Sequence, residues 1–386
     1  MNQIEDWKNL NAGQALVLSG GGARAAYQVG CLRAIAQKLP GYRPQILTGV
    51  SAGAINATHL AAYQGSWQDS VEALVLLWQH MRTNKVYRTG LGALVGRMSR
   101  WGLHFVSGGR IGGKNVRGMV NNAPLRAFLQ EHLASQPGSG EILGVDKSLA
   151  DGWLQALAVV TTNYANGHSE AWVDTLAEQI WSGSQVTGRR ASLTIEHVMA
   201  SAALPFFFPS VRLQGQWHGD GGVRLAAPLS PAMRLGAKRI LAVSPRVLPS
   251  QEEPLMPSKY PSPGQIAGVM LNAVFLDLLD FDAMQMQRIN DLLRRIPQQN
   301  WGEQRPVDVM VLRPRENLGQ IARQFQPKMP RAFRFFSGGF GNKEEPTADA
   351  LSMVNFEPDY IGQLIACGEE DTYARMDEIE AFLRGR

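Results

Sequence analysis

The chain has 386 residues, of which 45% are hydrophobic and 18% charged, and a formal net charge of +5. That apolar share supports a sizeable core and excludes a disordered chain, and the length suits two domains or one large α/β domain with additions. Two cysteines, Cys31 and Cys367, exclude a disulfide framework and a multi-cysteine metal site, and no run reaches the roughly 18 apolar residues of a membrane span.

Met1–Gln14 is polar and lacks the apolar core of a signal peptide, so the expectation is a cytoplasmic, reducing compartment. Ala15–Ser19 reads as a strand that breaks into Gly20-Gly21-Gly22. A helical pattern follows from Ala23 to Leu39 and stops at Pro40-Gly41. Gln45–Val50 reads as a second strand, and Ser51–Tyr63 as a helix that starts with almost no gap. Leu154–Thr162 is a buried strand, turned by Ala165-Asn166-Gly167 into His168–Val173. Val211–Leu213 and Gln216–His218 form a hairpin around Gln214-Gly215, and Arg239–Val243 and Val307–Leu312 are further strands. Strands alternating with helices predict an α/β fold with a mostly parallel sheet. Six prolines between Ser244 and Gly264 mark a boundary or long loop. Beyond it lie two long helical patterns, Gln265–Ile296 and Asp359–Arg384, and the loop-like Lys328–Ala348.

Gly49-Val50-Ser51-Ala52-Gly53 matches G-x-S-x-G between a strand and a helix, the context of a nucleophile elbow. The tight turn presents the Ser51 hydroxyl above the sheet edge, and the free N–H groups of the helix start favour a developing oxyanion. A serine capping an Ala-rich helix is the structural alternative. The Gly20–Gly22 cluster aims backbone N–H groups at one point, which suits an oxyanion or a phosphate. It also fits a dinucleotide fingerprint, but that motif needs an acid roughly 20 residues on, and none occurs between Asp6 and Asp69. Arg24 has two readings, a substrate contact or a solvated helix residue. Gly219-Asp220-Gly221-Gly222 is a turn whose neighbour, Ala200–Val211 (ASAALPFFFPSV), should pack firmly and fix the hairpin that delivers Asp220.

A serine hydroxyl needs a proton acceptor. In the α/β-hydrolase order a histidine comes last, and none of the seven histidines here follows Asp220. An earlier acid such as Asp69 or Asp151 followed by a later histidine also satisfies that order, and a direct Ser51–Asp220 dyad is the natural alternative. His218 shares a strand face with Asp220 and reads as a structural neighbour.

These blocks, GGGARAAYQVG, GVSAG, ASAALPFFFPSV and DGG, occur in the order found in patatin-like phospholipases, which this chain resembles from roughly Leu16 to Gly222. The resemblance implies a three-layer α/β/α sandwich over residues 14–245, with 246–386 as a C-terminal helical or mixed extension packed on it. It also implies cleavage of phospholipid or lysophospholipid esters through an acyl-enzyme. Ser51 would be the nucleophile, Asp220 the general base, and Gly20, Gly21 and Gly22 the oxyanion loop. No metal or cofactor is expected. Many members have glycine where Ala25 stands, a departure that bears on local packing more than on chemistry.

Charge is concentrated in one place. Ala73–Gln130 holds nine basic residues and no acid, leaving 29 Lys+Arg against 33 Asp+Glu elsewhere. This stretch, interleaved with Trp78, Tyr87, Trp101 and Phe105, is a candidate lid-like insertion. It reads either as an anionic-membrane contact or as a solvated face with core aromatics. The basic and aromatic cluster from Arg323 to Phe336 reads the same two ways. The apolar Ile266–Leu279 suggests core, dimer contact or a cap over an acyl pocket. A non-catalytic lipid-binding protein and a dinucleotide-dependent oxidoreductase are the competing classes. Nucleic-acid binding accounts for the basic stretch but not for Ser51 and Asp220.

Overall fold

The structure is a computed structural model. It describes residues 10–88, 118–133, 135–183, 185–247, 278–325 and 352–386, with Trp7, Gly96, Ser99, Val106 and Ser107. Its strands are β1 Gln14–Leu18, β2 Ile46–Val50, β3 Ala156–Asn163, β4 Ser169–Thr175, β5 Val186–Arg190, β6 Val211–Leu213, β7 Gln216–Asp220, β8 Arg239–Val243 and β9 Asp308–Leu312. Its helices are α1 Ala26–Lys38, α2 Ala52–Ala62, α3 Trp67–His80, α4 Thr83–Val86, α5 Ala123–His132, α6 Leu143–Ala150, α7 Ile195–Ser201, α8 Ser230–Arg234, α9 Leu278–Leu293, α10 Leu318–Phe325, α11 Pro358–Tyr373 and α12 Met376–Arg384.

The main path of the sheet runs β5-β4-β3-β2-β1-β8-β9. Pairing is parallel from β3 through β2, β1 and β8 to β9, and antiparallel between β3 and β4. β1 to β4 are buried along their whole length, β1 to β3 as the largely apolar runs expected of a two-sided sheet. Alternate residues feed opposite layers. Leu16, Leu18, Leu157, Val159, Leu241 and Val243 join one core with Tyr27, Leu60, Trp78 and Tyr360. Ala15, Val17, Ile240 and Ala242 face the other with α8 and α9. The architecture is therefore the three-layer α/β/α sandwich expected, its central sheet mixed but mostly parallel.

The C-terminal part is woven into this frame. β9 extends the sheet beyond β8, with Leu241 opposite Met310. α11 lies on α1 at close range: a β-carbon on Gly30 would strike the Ile365 backbone, and one on Gly368 the Tyr27 carbonyl. Arg315 Nε and the Tyr27 hydroxyl both donate to Asp371, tying α11 to α1 and to the loop after β9.

Some expectations shift. The first helix opens as a 3₁₀ turn at Gly22–Ala25 before α1 begins. The pattern Asp359–Arg384 is two helices, broken at Ala374 and Arg375. Ile365, Ile379 and Leu383 stay buried on both sides of the break, so periodicity alone runs through it. Within Gln265–Ile296 the helix described is α9, and 265–277 lie outside the described residues. The loop-like 328–348 and most of the proline-rich stretch lie outside them as well.

β7 determines where the site forms. β3 outruns β2: Val50, the last residue of β2, stands opposite Val160. The next position of β3, Thr161, pairs with Asp220 of β7, which continues antiparallel along the same edge. The end of β2 and the end of β7 thus meet at consecutive positions of one strand.

Candidate active site

Ser51 links β2 to α2 without a loop, and its backbone adopts φ 57°, ψ −129°. That region is disfavoured for a residue with a β-carbon and costs on the order of 1–3 kcal/mol unless the surroundings impose it. They do. A β-carbon on Gly49 would lie 2.5 Å from the Gly53 carbonyl oxygen, and one on Gly53 2.6 Å from that of Ser19. The N–H of Ser51 donates to Ser201 Oγ at 3.0 Å, and Ser201 donates to the Val160 carbonyl at 2.6 Å. α7 thereby pins the elbow to β3.

Asp220 ends β7 and is fully buried. Oδ1 accepts the Gly222 N–H at 2.9 Å. Oδ2 has no hydrogen-bond partner among the described residues. Burial raises the carboxyl pKa to about 7; the nearby Ser51 hydroxyl and the Gly222 N–H hold back a larger rise. The carboxyl group therefore sits dry beside the Ser51 hydroxyl, with its pKa lifted to near neutrality.

The glycine loop follows β1 directly. Gly21 and Gly22 have φ of 155° and 56°, conformations that L side chains rarely adopt. A β-carbon on Gly20 would sit 3.0 Å from Ser51 Cβ, so the loop runs against the elbow. Neither the Gly20 nor the Gly21 N–H donates to an acceptor among the described residues. Arg24 is buried, and its Nε donates to Ser352 Oγ at 2.5 Å. Ala25 is buried in the core beneath the loop.

Ser51, Gly21 and Gly22 open onto a narrow, partly open cleft with about 40 Å³ of free volume. Its other walls are apolar and include Ile55, Trp78, Leu125, Phe208, Met353 and Phe356. Trp78 Nε1 donates to Asn56 Oδ1 at 2.6 Å, and Asn56 Nδ2 donates to Gln28 Oε1 at 2.9 Å. Gln28 Nε2 in turn donates to the Ser19 carbonyl at 2.7 Å. A buried polar chain therefore runs from pocket wall to glycine loop.

His218 sits behind Asp220 on β7. Trp172 Nε1 donates to Thr161 Oγ1 at 2.8 Å, and the Thr161 hydroxyl and His218 Nδ1 share a hydrogen bond at 3.0 Å. Burial lowers the pKa of this ring. Its partners are structural, and Ser51 is not among them.

The sequence-predicted Ser51, Asp220 and Gly20–Gly22 converge at this one place, whereas Arg24 points into the contact with Ser352 rather than lining the pocket. Sequence reasoning missed Asn56, Met353 and Phe356, which carry no motif. Ser201 lay inside the block ASAALPFFFPSV without being singled out. Of the nine basic residues in 73–130, Arg82, Lys85, Arg88 and Arg126 are described. The first three are exposed, and Arg126 pairs with Glu196 at 2.7 Å. Trp78 and Tyr87 are fully buried, as core aromatics. No helix among the described residues is long and apolar enough to cross a membrane. No group of three or more potential metal-ligating side chains occurs among them either.

An α/β/α sandwich with a serine at a strained strand-to-helix elbow, facing a glycine loop and a buried carboxylate, defines an elbow-type hydrolase fold. The profile of the patatin-like phospholipases matches residues 16–233, and the chain belongs to that family. Among solved structures it is similar to VipD from Legionella pneumophila, at 13% identity over 92% of this chain and 67% of that one, TM-score 0.36. It is similar to human GIVD cytosolic phospholipase A2 at 12% identity over 99% of this chain and 62% of that one, TM-score 0.48. ExoU from Pseudomonas aeruginosa matches at 19% identity over 51% of this chain and 39% of that one, TM-score 0.24. The chain thus spans less than two thirds of the human phospholipase and of ExoU. No curated protein sequence matches it at a significant level.

Proposed function

We propose that the protein hydrolyses carboxylic esters of phospholipids or lysophospholipids, with Ser51 as nucleophile and Asp220 as its general base. The observation that carries this reading is the buried Asp220 Oδ2, which lacks a hydrogen-bond partner beside the Ser51 hydroxyl. As a carboxylate, Asp220 takes the Ser51 proton while Oγ attacks the ester carbonyl carbon. The N–H groups of Gly20–Gly22 and the start of α2 stabilise the tetrahedral oxyanion; one such donor is worth about 3–4 kcal/mol. The intermediate collapses to the acyl-enzyme, and the leaving alcohol departs with the proton held on Asp220. Water then gives a proton to Asp220 as it attacks the acyl carbon, and Asp220 returns that proton to Ser51 Oγ as the fatty acid is released.

The acyl chain occupies the apolar pocket, where it replaces water against Trp78 and Phe208. The exposed Arg82, Lys85 and Arg88 offer a contact for an anionic membrane surface from which the lipid is drawn. The chemistry uses protein groups alone, with no metal or cofactor. The test is mass spectrometry of products from a mixed lipid extract, wild type beside Ser51→Ala, together with labelling by a serine-directed fluorophosphonate. Fatty acid release by wild type only, with the label on Ser51, is expected. Equal release by both proteins refutes the dyad. Lipid retention without release or labelling makes the protein a lipid binder.

A further inference from the structure

The pocket beside Ser51 is not built by the family-matched region alone. Met353, Val354 and Phe356 line it, and all three lie more than a hundred residues beyond position 233. This segment is stitched to the site from two sides. Toward the glycine loop, a β-carbon on Gly22 would strike the Met353 carbonyl, and Arg24 Nε donates to Ser352 Oγ at 2.5 Å. Toward α3 and α4, the Tyr87 hydroxyl donates to the Val354 carbonyl at 2.6 Å and Thr83 Oγ1 donates to Glu357 Oε1 at 2.8 Å. The Phe356 ring stacks on Trp78 with centroids 6.5 Å apart and meets Tyr87 edge-on at 6.4 Å. Ser352 and Asn355 are fully buried, and Met353 and Phe356 nearly so. Nothing in this pattern resembles a tail resting on a finished domain.

We infer that Ser352–Phe356 is the chain-length-determining wall of the acyl site, with the Met353 and Phe356 side chains limiting how long an acyl chain the pocket admits. This rests on the reading of Ser51 as the nucleophile. A flexible thioether and a ring stacked on Trp78 line the same cleft onto which Ser51 opens. Shortening either opens depth; enlarging Met353 removes it. Selectivity follows because each methylene that fits or fails to fit changes the rate by roughly tenfold or more.

The experiment uses the full-length protein and a series of alkyl fluorophosphonates of increasing chain length. The rate of covalent labelling is read by intact mass for wild type, Met353→Ala, Phe356→Ala and Met353→Trp. Met353→Ala and Phe356→Ala should raise the long-to-short rate ratio by roughly tenfold, and Met353→Trp should lower it by a similar factor. Thermal unfolding checks that each variant is folded, and Met353→Leu replaces any that is not, with a smaller shift toward shorter or longer probes. Superimposable chain-length profiles in folded variants overturn the inference while leaving Ser51 as nucleophile. Absence of wild-type labelling at every chain length overturns the reading on which it rests.

Discussion

The Ser201 hydroxyl accepts the backbone N–H of Ser51 at 3.0 Å and donates to the Val160 carbonyl at 2.6 Å. One small side chain on α7 therefore satisfies the elbow and anchors it to β3. Ser201→Ala leaves a buried N–H without a partner, at a cost of about 1–3 kcal/mol. It also frees a backbone held in a disfavoured region. A lower urea midpoint and about a tenfold lower kcat on a short ester are expected. If both match wild type, the hydroxyl is not what restrains Ser51.

Asp220 ties activity to pH. Burial raises its pKa to about 7, and the base must be ionised to work. kcat/KM should rise with pH through about 7 and then level off. Asp220→Asn should lower it by roughly 10²–10⁴-fold at every pH. A rate that is flat between about pH 5 and 9 removes Asp220 from the base role.

The same group predicts a stability effect of the opposite kind. In the unfolded chain Asp220 titrates near 4, whereas the folded pKa is about 7. The folded state binds this proton more tightly, so its contribution is fully present below pH ~4 and is lost as pH rises through about 7. Asp220→Asn should therefore lose less stability than wild type between about pH 4 and 8, by at most about 4 kcal/mol. Burial also raises Asp174, to about 6. That group is present in both proteins and cancels in the comparison. Parallel curves of unfolding free energy against pH would contradict the buried-base assignment.

Asn56 holds the pocket wall to the glycine loop. Asn56→Ala strips Trp78 Nε1 of its acceptor and Gln28 Oε1 of its donor, both in a dry interior. A loss of about 1–3 kcal/mol per stranded group is expected in chemical denaturation. Fluorophosphonate labelling should slow at the same time. Unchanged stability would mean that the chain of side chains carries no weight.

Dialysis against EDTA should leave the rate of ester hydrolysis unchanged, because the proposed proton acceptor and oxyanion donors all belong to the protein. Loss of activity that returns with a divalent cation would assign a further component to the site.

The sheet was legible in the sequence because buried parallel strands need continuous apolar runs, and Ala15–Ser19, Gln45–Val50 and Leu154–Thr162 supply them. The elbow was legible because Gly49 and Gly53 stand where no β-carbon fits. Asp220 was visible as a turn residue and through the family resemblance. Its place beside Ser51 depends on how β7 registers on β3, a pairing between distant segments that no local pattern encodes. Trp78 and Tyr87 sit in a basic stretch and read equally well as interfacial or internal; packing against Phe356 settled them. Met353 and Phe356 were invisible for the same reason, since only tertiary contact brings them to the pocket.

The shared use of β3 has a consequence for how such a protein can diversify. Two adjoining rungs of a single ladder, Val160 and Thr161, set the separation of Ser51 and Asp220, the proposed reacting groups. The lengths of the intervening connections do not enter that separation. The connection between α4 and α5 can therefore change in length without altering how far Ser51 stands from Asp220.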